Sequence, residues 1–260
     1  MSERPEKLAE GTLISHLLEL RDRLVKAFLA VLALFVPAAI FRNDIFEVLV
    51  KPMLGQLPQG SSLIATGVMS PFITPFKLAF FFAVFVAMPF VLYQLWAFVA
   101  PGLYRKEKRF AVPLLVSSIV LFYVGTYFAY KFVFPLAFHF FATSAPEGVQ
   151  MMPDINNYLD FALTMFFAFG LAFEVPVVVV LLTLTGLVSV EKLSEARGYV
   201  IIGICVVAAI ITPPDPLSMM LMAVPMWLLY EGGVIFARIL HRGRRKDDDA
   251  AGSGDGEAEA

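Results

Sequence analysis

The sequence is poor in charge: 16% of its 260 residues are Asp, Glu, Lys or Arg, against about 25% in an average soluble domain. The shortage is uneven. Charge is missing from long blocks and gathered in short segments between them, which excludes an ordinary soluble domain and gives a mean hydropathy of +0.77. Cysteine is nearly absent. Cys205 is the only one, so no disulfide can form within the chain, and its place in the apolar run Val200–Ile211 reads as packing. The three histidines, His16, His139 and His241, lie far apart in sequence and form no ligand cluster, so neither a metal site nor a cofactor is expected. No G-x-x-x-x-G-K-[ST], H-E-x-x-H or G-x-S-x-G string occurs, which removes direct ATP use and the commonest intramembrane and hydrolase signatures. An enzyme therefore has no support, and nothing calls for a nucleic-acid partner. No cleavable signal peptide is expected either, because the first apolar block starts only at Leu24 and no A-x-A-type site follows it closely.

What remains is a series of apolar blocks of membrane-spanning character. They predict an all-α membrane protein with six transmembrane helices, over residues 24–41, 75–100, 110–138, 158–185, 199–211 and 217–240. Residues 1–23 form a cytoplasmic N-terminal segment, polar at first. Its later part, Thr12–Arg23, reads as a short amphipathic helix, with Leu13, Leu17, Leu20 and Leu24 on one face. Residues 241–260, charged and rich in Gly and Ala, are expected to be disordered. The stretch Arg42–Thr74 is too polar to span and reads as a long connection with interfacial pieces. The fifth block is short, about 20 Å of helix against a hydrocarbon core of about 30 Å. Either that hairpin sits in thinned bilayer, or the helix starts earlier, near Leu193, with Arg197 snorkelling.

Orientation follows from the basic residues. Of twenty Lys and Arg, only Arg42, Lys51, Lys77 and Lys131 fall on or near the side opposite the N-terminus. The positive-inside rule then places both termini in the cytoplasm. One ionisable residue stands out on physical grounds alone. Glu174 falls near the middle of the fourth block, where an acidic side chain costs about 2.5–3.5 kcal/mol on insertion scales. Such a group faces a cavity or a partner, or is protonated and bonded to a neighbouring helix. Pro176, two residues on, is expected to kink that helix. Asp215, before Pro216, reads as an N-cap followed by Pro at the first helical position.

Several strings resemble the TatC family: SHLLELRDRL at Ser15–Leu24, LPQGSSLIAT at Leu57–Thr66, YQLWAFVAPGLY at Tyr93–Tyr104, PLLVSSIVLFYVG at Pro113–Gly125, FPLAFHFF at Phe134–Phe141 and TPPDP at Thr212–Pro216. The resemblance implies a glove-like six-helix fold with a concave face, in the bacterial inner membrane. It implies a receptor for signal peptides with paired arginines, and a core scaffold for export of folded proteins driven by the proton-motive force. Its implied partners are TatB-like and TatA-like single-span subunits, the signal peptides of folded cargo, the lipid bilayer and further copies of the chain.

The same resemblance assigns the two peptide arginines to Glu19 and Glu107, and marks Arg21 and Phe98 as parts of that signal-peptide site. It marks Asp215 as important for transport and matches Pro52 to a position in the first periplasmic loop. Each has a plainer reading from the residues. Glu19 suits an i,i+4 pair with Arg23, Glu107 sits among Arg105, Lys106, Lys108 and Arg109, and Arg21 suits membrane anchoring. Phe98 is one of 26 phenylalanines, and Pro52 suits a rigid loop. Two other functions stay open at this point: a proton-coupled solute transporter using Glu174, and a membrane assembly factor. No internal repeat is visible, which weighs against the transporter.

Overall fold

The structure is a computed structural model of the chain and describes residues 4–54, 63–99, 111–144, 152–211 and 216–254. Those residues are almost wholly helical. In chain order they form α1 (Arg4–Ile40), α2 (Arg42–Leu54), α3 (Ser70–Val99), α4 (Ala111–Phe128), a π-helical segment (Ala129–Val133), α5 (Phe134–Ser144), α6 (Ile155–Ala172), α7 (Val175–Leu184), α8 (Val190–Glu195), α9 (Arg197–Ile211) and α10 (Pro216–Gly254). Among the described residues, five stretches are long and apolar enough to cross a membrane: Ile14–Ile40, Ser70–Val99, Ala111–Phe141, Ile155–Leu184 and Met219–Leu240. The shorter α9 is the sixth apolar helix, in agreement with the order of blocks in the sequence.

Several boundaries differ from the sequence reading. The amphipathic segment and the first span are one continuous helix, α1, because no Gly or Pro separates them and extending a helix costs less than starting another. Pro52 lies within α2, not in a loop. At the other end, α10 runs on to Gly254, where the charged tail was expected to lack structure. The third span continues past Lys131, as expected, through the π-helical turn Ala129–Val133. Pro135 accounts for that turn: it has no N–H for the Lys131 carbonyl, and its ring crowds that carbonyl in regular α geometry. The fourth span breaks at Phe173–Glu174, ahead of Pro176, into α6 and α7. The fifth helix begins at Arg197, after α8 and a turn at Ala196, so the early start near Leu193 is not adopted.

The chain forms two compact units, Met1–Ile119 with Phe134–Met165, and Val120–Val133 with Phe166–Ala260. In the first, α1 and α2 pack on α3. Ala38, Ala79 and Ala83 are buried together beneath Leu34, Phe35 and Ile45, and such small side chains let apolar helices approach closely. Trp96 Nε1 donates to Ser118 Oγ at 3.0 Å in a buried setting, tying α3 to α4. Phe134, Phe138 and Tyr158 cluster between α5 and α6, with ring centroids 4.5–5.7 Å apart. Along the first span, Phe28, Leu32 and Val36 are exposed, as suits a surface solvated by lipid.

Polar groups close the start of α3 against the start of α6. Thr66 donates its amide and hydroxyl to Asp154 Oδ2 at 2.8 and 2.6 Å. Asp154 Oδ1 accepts from the amides of Asn156 and Asn157 at the first turn of α6, and Ile155 N–H donates to the Ile64 carbonyl. Asn156 bonds the buried Ser70 and Thr74 of α3. One turn further on, Lys77 pairs with both oxygens of Asp160 at 2.6 and 2.9 Å.

In the second unit, α10 packs on α7, α8 and α9. Phe128 packs against Phe169 and Phe173 with tilted rings, centroids 5.8 and 5.6 Å apart. Gly125 permits that approach, since a Cβ there would lie 2.5 Å from the Phe169 carbonyl oxygen. Gly186 ends α7 with φ of 71°, a conformation glycine adopts without the Cβ penalty.

Candidate functional site

The segment that carries Glu19 is a run of α1 with alternating acid and base. Arg23 lies four residues on from Glu19, one helical turn, and donates from Nε and Nη2 to Glu19 Oε1 at 3.0 and 2.6 Å. The Glu19 side chain keeps 38% of its exposure and that of Arg23 keeps 23%. Arg21 points elsewhere: it is exposed and bonds Asp22, its neighbour, at 2.8 Å. One turn before Glu19, His16 stacks on Phe98, at the end of α3, with ring centroids 4.3 Å apart and planes within 20°. The stack sets Phe98 beside the α1 turn that leads into Glu19. Glu107 and Asp215 lie outside the described residues.

Sequence reading did not find His16, which it treated as an isolated histidine. Its spacing from Glu19 was available, since positions three apart share a helix face. Its contact with Phe98 was not, because periodicity within one helix does not say which distant ring lies opposite.

Glu174 is at the break between α6 and α7. Its amide returns to the Leu171 carbonyl at 3.0 Å, and its carbonyl accepts from Val178 N–H at 2.9 Å as α7 begins. Pro176 stands in the first turn of α7, where a missing N–H costs nothing. Glu231, which interrupts the apolar run of the sixth span, is bound bidentately by Arg197, with Nε–Oε1 at 2.6 Å and Nη2–Oε2 at 2.8 Å. Arg197 is thus an ion-pair partner for the sixth span. Nearby, Tyr230 Oη donates to the Leu193 carbonyl at 2.7 Å, and Arg238 donates to Ser194 Oγ at 2.9 Å. These contacts join α8 and the start of α9 to α10.

A family model described as Sec-independent protein translocase protein (TatC) matches residues 15–225. The chain belongs to the TatC family. It is 54% identical over 243 residues to the Sec-independent protein translocase protein TatC of Azotobacter chroococcum mcd 1, covering 93% of this chain and 95% of that one. It is 51% identical over 237 residues to the TatC of Escherichia coli (strain K12), covering 91% and 92%. Among solved structures it resembles one described as the twin arginine translocase receptor TatC, with a TM-score of 0.77 and 37% identity over 86% of this chain and 98% of that one. As a TatC-family protein it is a multi-pass membrane component of a Sec-independent protein translocase, not an enzyme.

Proposed function

We propose that the chain is the receptor for signal peptides bearing paired arginines, and the core scaffold of a translocase that exports folded proteins on the proton-motive force. It resides in the bacterial inner membrane with both termini cytoplasmic, and works in several copies with TatA-like and TatB-like single-span subunits. The two acids that take the arginines are Glu19 and Glu107, with Phe98 part of the same site and Arg21, which bonds Asp22, contributing from the neighbouring face of α1. Glu174 serves the membrane-embedded part of transport. Pro52 and Asp215 shape the periplasmic side.

The observation that carries this reading is the family match over residues 15–225, which covers Glu19 and Phe98. Glu19 is partly exposed and pairs with Arg23 at 3.0 and 2.6 Å. A peptide arginine must share that carboxylate with Arg23 or displace it, and arginine forks match carboxylates in shape and charge. Family membership over most of the chain supports the translocase role, and the charge bias of the loops supports the orientation. The test is export of a folded, cofactor-loaded reporter behind a twin-arginine signal, in a strain lacking its own homologue. Expression of this chain restores export, and export stays absent when the signal carries twin lysine. Failure to restore export alongside cognate single-span subunits, with the protein present in the membrane, contradicts the proposal.

A further inference from the structure

Resting on the reading of Glu19 as an acceptor of signal-peptide arginine, we propose that His16 is a specificity-determining residue of the same site. With Phe98 it forms a flat platform on which the arginine guanidinium lies while its N–H groups reach Glu19. The two rings come from different helices, α1 and α3, yet stack at 4.3 Å with planes within 20°. Phe98 is half-buried and His16 is exposed, so the outer face of the pair is the imidazole. Glu19 lies three residues further along α1, and residues so spaced on a helix have Cβ atoms about 5–6 Å apart.

The chemistry selects arginine. A guanidinium is planar, stacks face-on against rings and donates hydrogen bonds in its own plane. A ring face with a carboxylate at its edge satisfies both demands together. A lysine ammonium can bond the carboxylate but has no plane to lay on the ring. The existing bond to Arg23 is compatible with this arrangement. Both bonds from Arg23 go to Glu19 Oε1, so Oε2 is the oxygen proposed for a cation over His16. The resident arginine thereby orients the carboxylate for the incoming one.

The experiment uses the full-length protein in detergent at pH 8. The affinity of a synthetic signal peptide is measured in its Arg-Arg and Lys-Lys forms, for the wild type, His16→Ala, His16→Gln, His16→Phe and Glu19→Gln, with thermal melts as a check on folding. His16→Ala and His16→Gln are expected to weaken the Arg-Arg peptide about three- to tenfold, as loss of a ring contact does. The Lys-Lys peptide should change by less than about twofold, and His16→Phe, which keeps a ring, should stay near wild type. His16→Gln retains a polar helix former, so it decides the matter if His16→Ala does not fold. Equal weakening of both peptides would mean that His16 only packs, and would overturn the proposal. So would an unchanged Arg-Arg preference in His16→Gln while Glu19→Gln reduces it, which leaves Glu19 as the acceptor. A preference unchanged in Glu19→Gln as well would remove the reading on which the role of His16 rests.

Discussion

Asp154 shows how one side chain just before an apolar helix can hold two parts of a membrane protein together. It accepts from the Thr66 hydroxyl and amide on one oxygen and from the amides of Asn156 and Asn157 on the other. Led by the Thr66 hydroxyl, these bonds favour the ionised form and lower its pKa from the ordinary 3.8 to about 2. A carboxylate with a depressed folded-state pKa adds stability that is complete above the unfolded value and disappears as pH falls through the folded one. The contribution of Asp154 should therefore be full above about pH 5 and fade progressively down to about pH 1. Thermal melts of wild type and Asp154→Asn should differ at pH 6, and the gap should shrink as pH falls to about 2. A gap of equal size at both would show that its charge plays no part. Glu174 makes a different case. Placed at a helix break, it should tolerate Glu174→Gln, which keeps hydrogen-bonding capacity, better than Glu174→Leu. Export relative to protein level should fall further in the leucine variant, and full export there would make the residue incidental. Glu19 was marked only by the family resemblance, while Glu174 was legible on physical grounds, because charge inside an apolar block is costly. His16 and Asp154 were not, since their roles depend on partners 82 and 88 positions away.

At the scale of helices, the short fifth span is explained by its ends. The 15 residues of α9 cover about 22 Å, less than the bilayer core of about 30 Å, and bonds to α10 fix its start. The Arg197–Glu231 pair is central among them, with Glu231 17% and Arg197 44% exposed. Such partial burial places its worth between that of surface pairs and buried pairs. Arg197→Ala should lower stability by about 1–2 kcal/mol, measurable by denaturation in detergent. The exchange Arg197→Glu with Glu231→Arg should recover part of the loss, whereas a double variant no better than the worse single one would exclude a direct pair. The shortness of α9 and the break before Pro176 were readable, because run length and proline act locally. α2 was not, because Arg42–Leu54 is too polar to span and was taken for loop. Its inward face is nonetheless apolar: Ile45 packs on the alanine cluster shared with α3 and Val50 is buried, while Val48 and Leu49 are exposed.

At the scale of the whole molecule, the order and number of apolar helices followed from composition and charge placement, while the closure of α3 on α6 through Asn156 and Asp154 required coordinates. Orientation is open to direct measurement. In a Cys205→Ser background, Ser144→Cys at the end of α5 should react with an impermeant maleimide in intact cells. Ser194→Cys in α8 should react only after permeabilisation, and the reverse pattern would invert the topology. The central claim is that two carboxylates read the paired arginines, and peptide affinity tests it most directly. Purified wild type, Glu19→Gln, Glu107→Gln and the double variant are compared for Arg-Arg and Lys-Lys signal peptides. A charge-assisted hydrogen bond contributes about 1.5–3 kcal/mol, towards the low end when partly exposed, so each single change should weaken the Arg-Arg peptide roughly tenfold. The double change should weaken it further and shrink the preference for arginine, not necessarily additively. A double variant that prefers arginine by the wild-type margin would contradict the account.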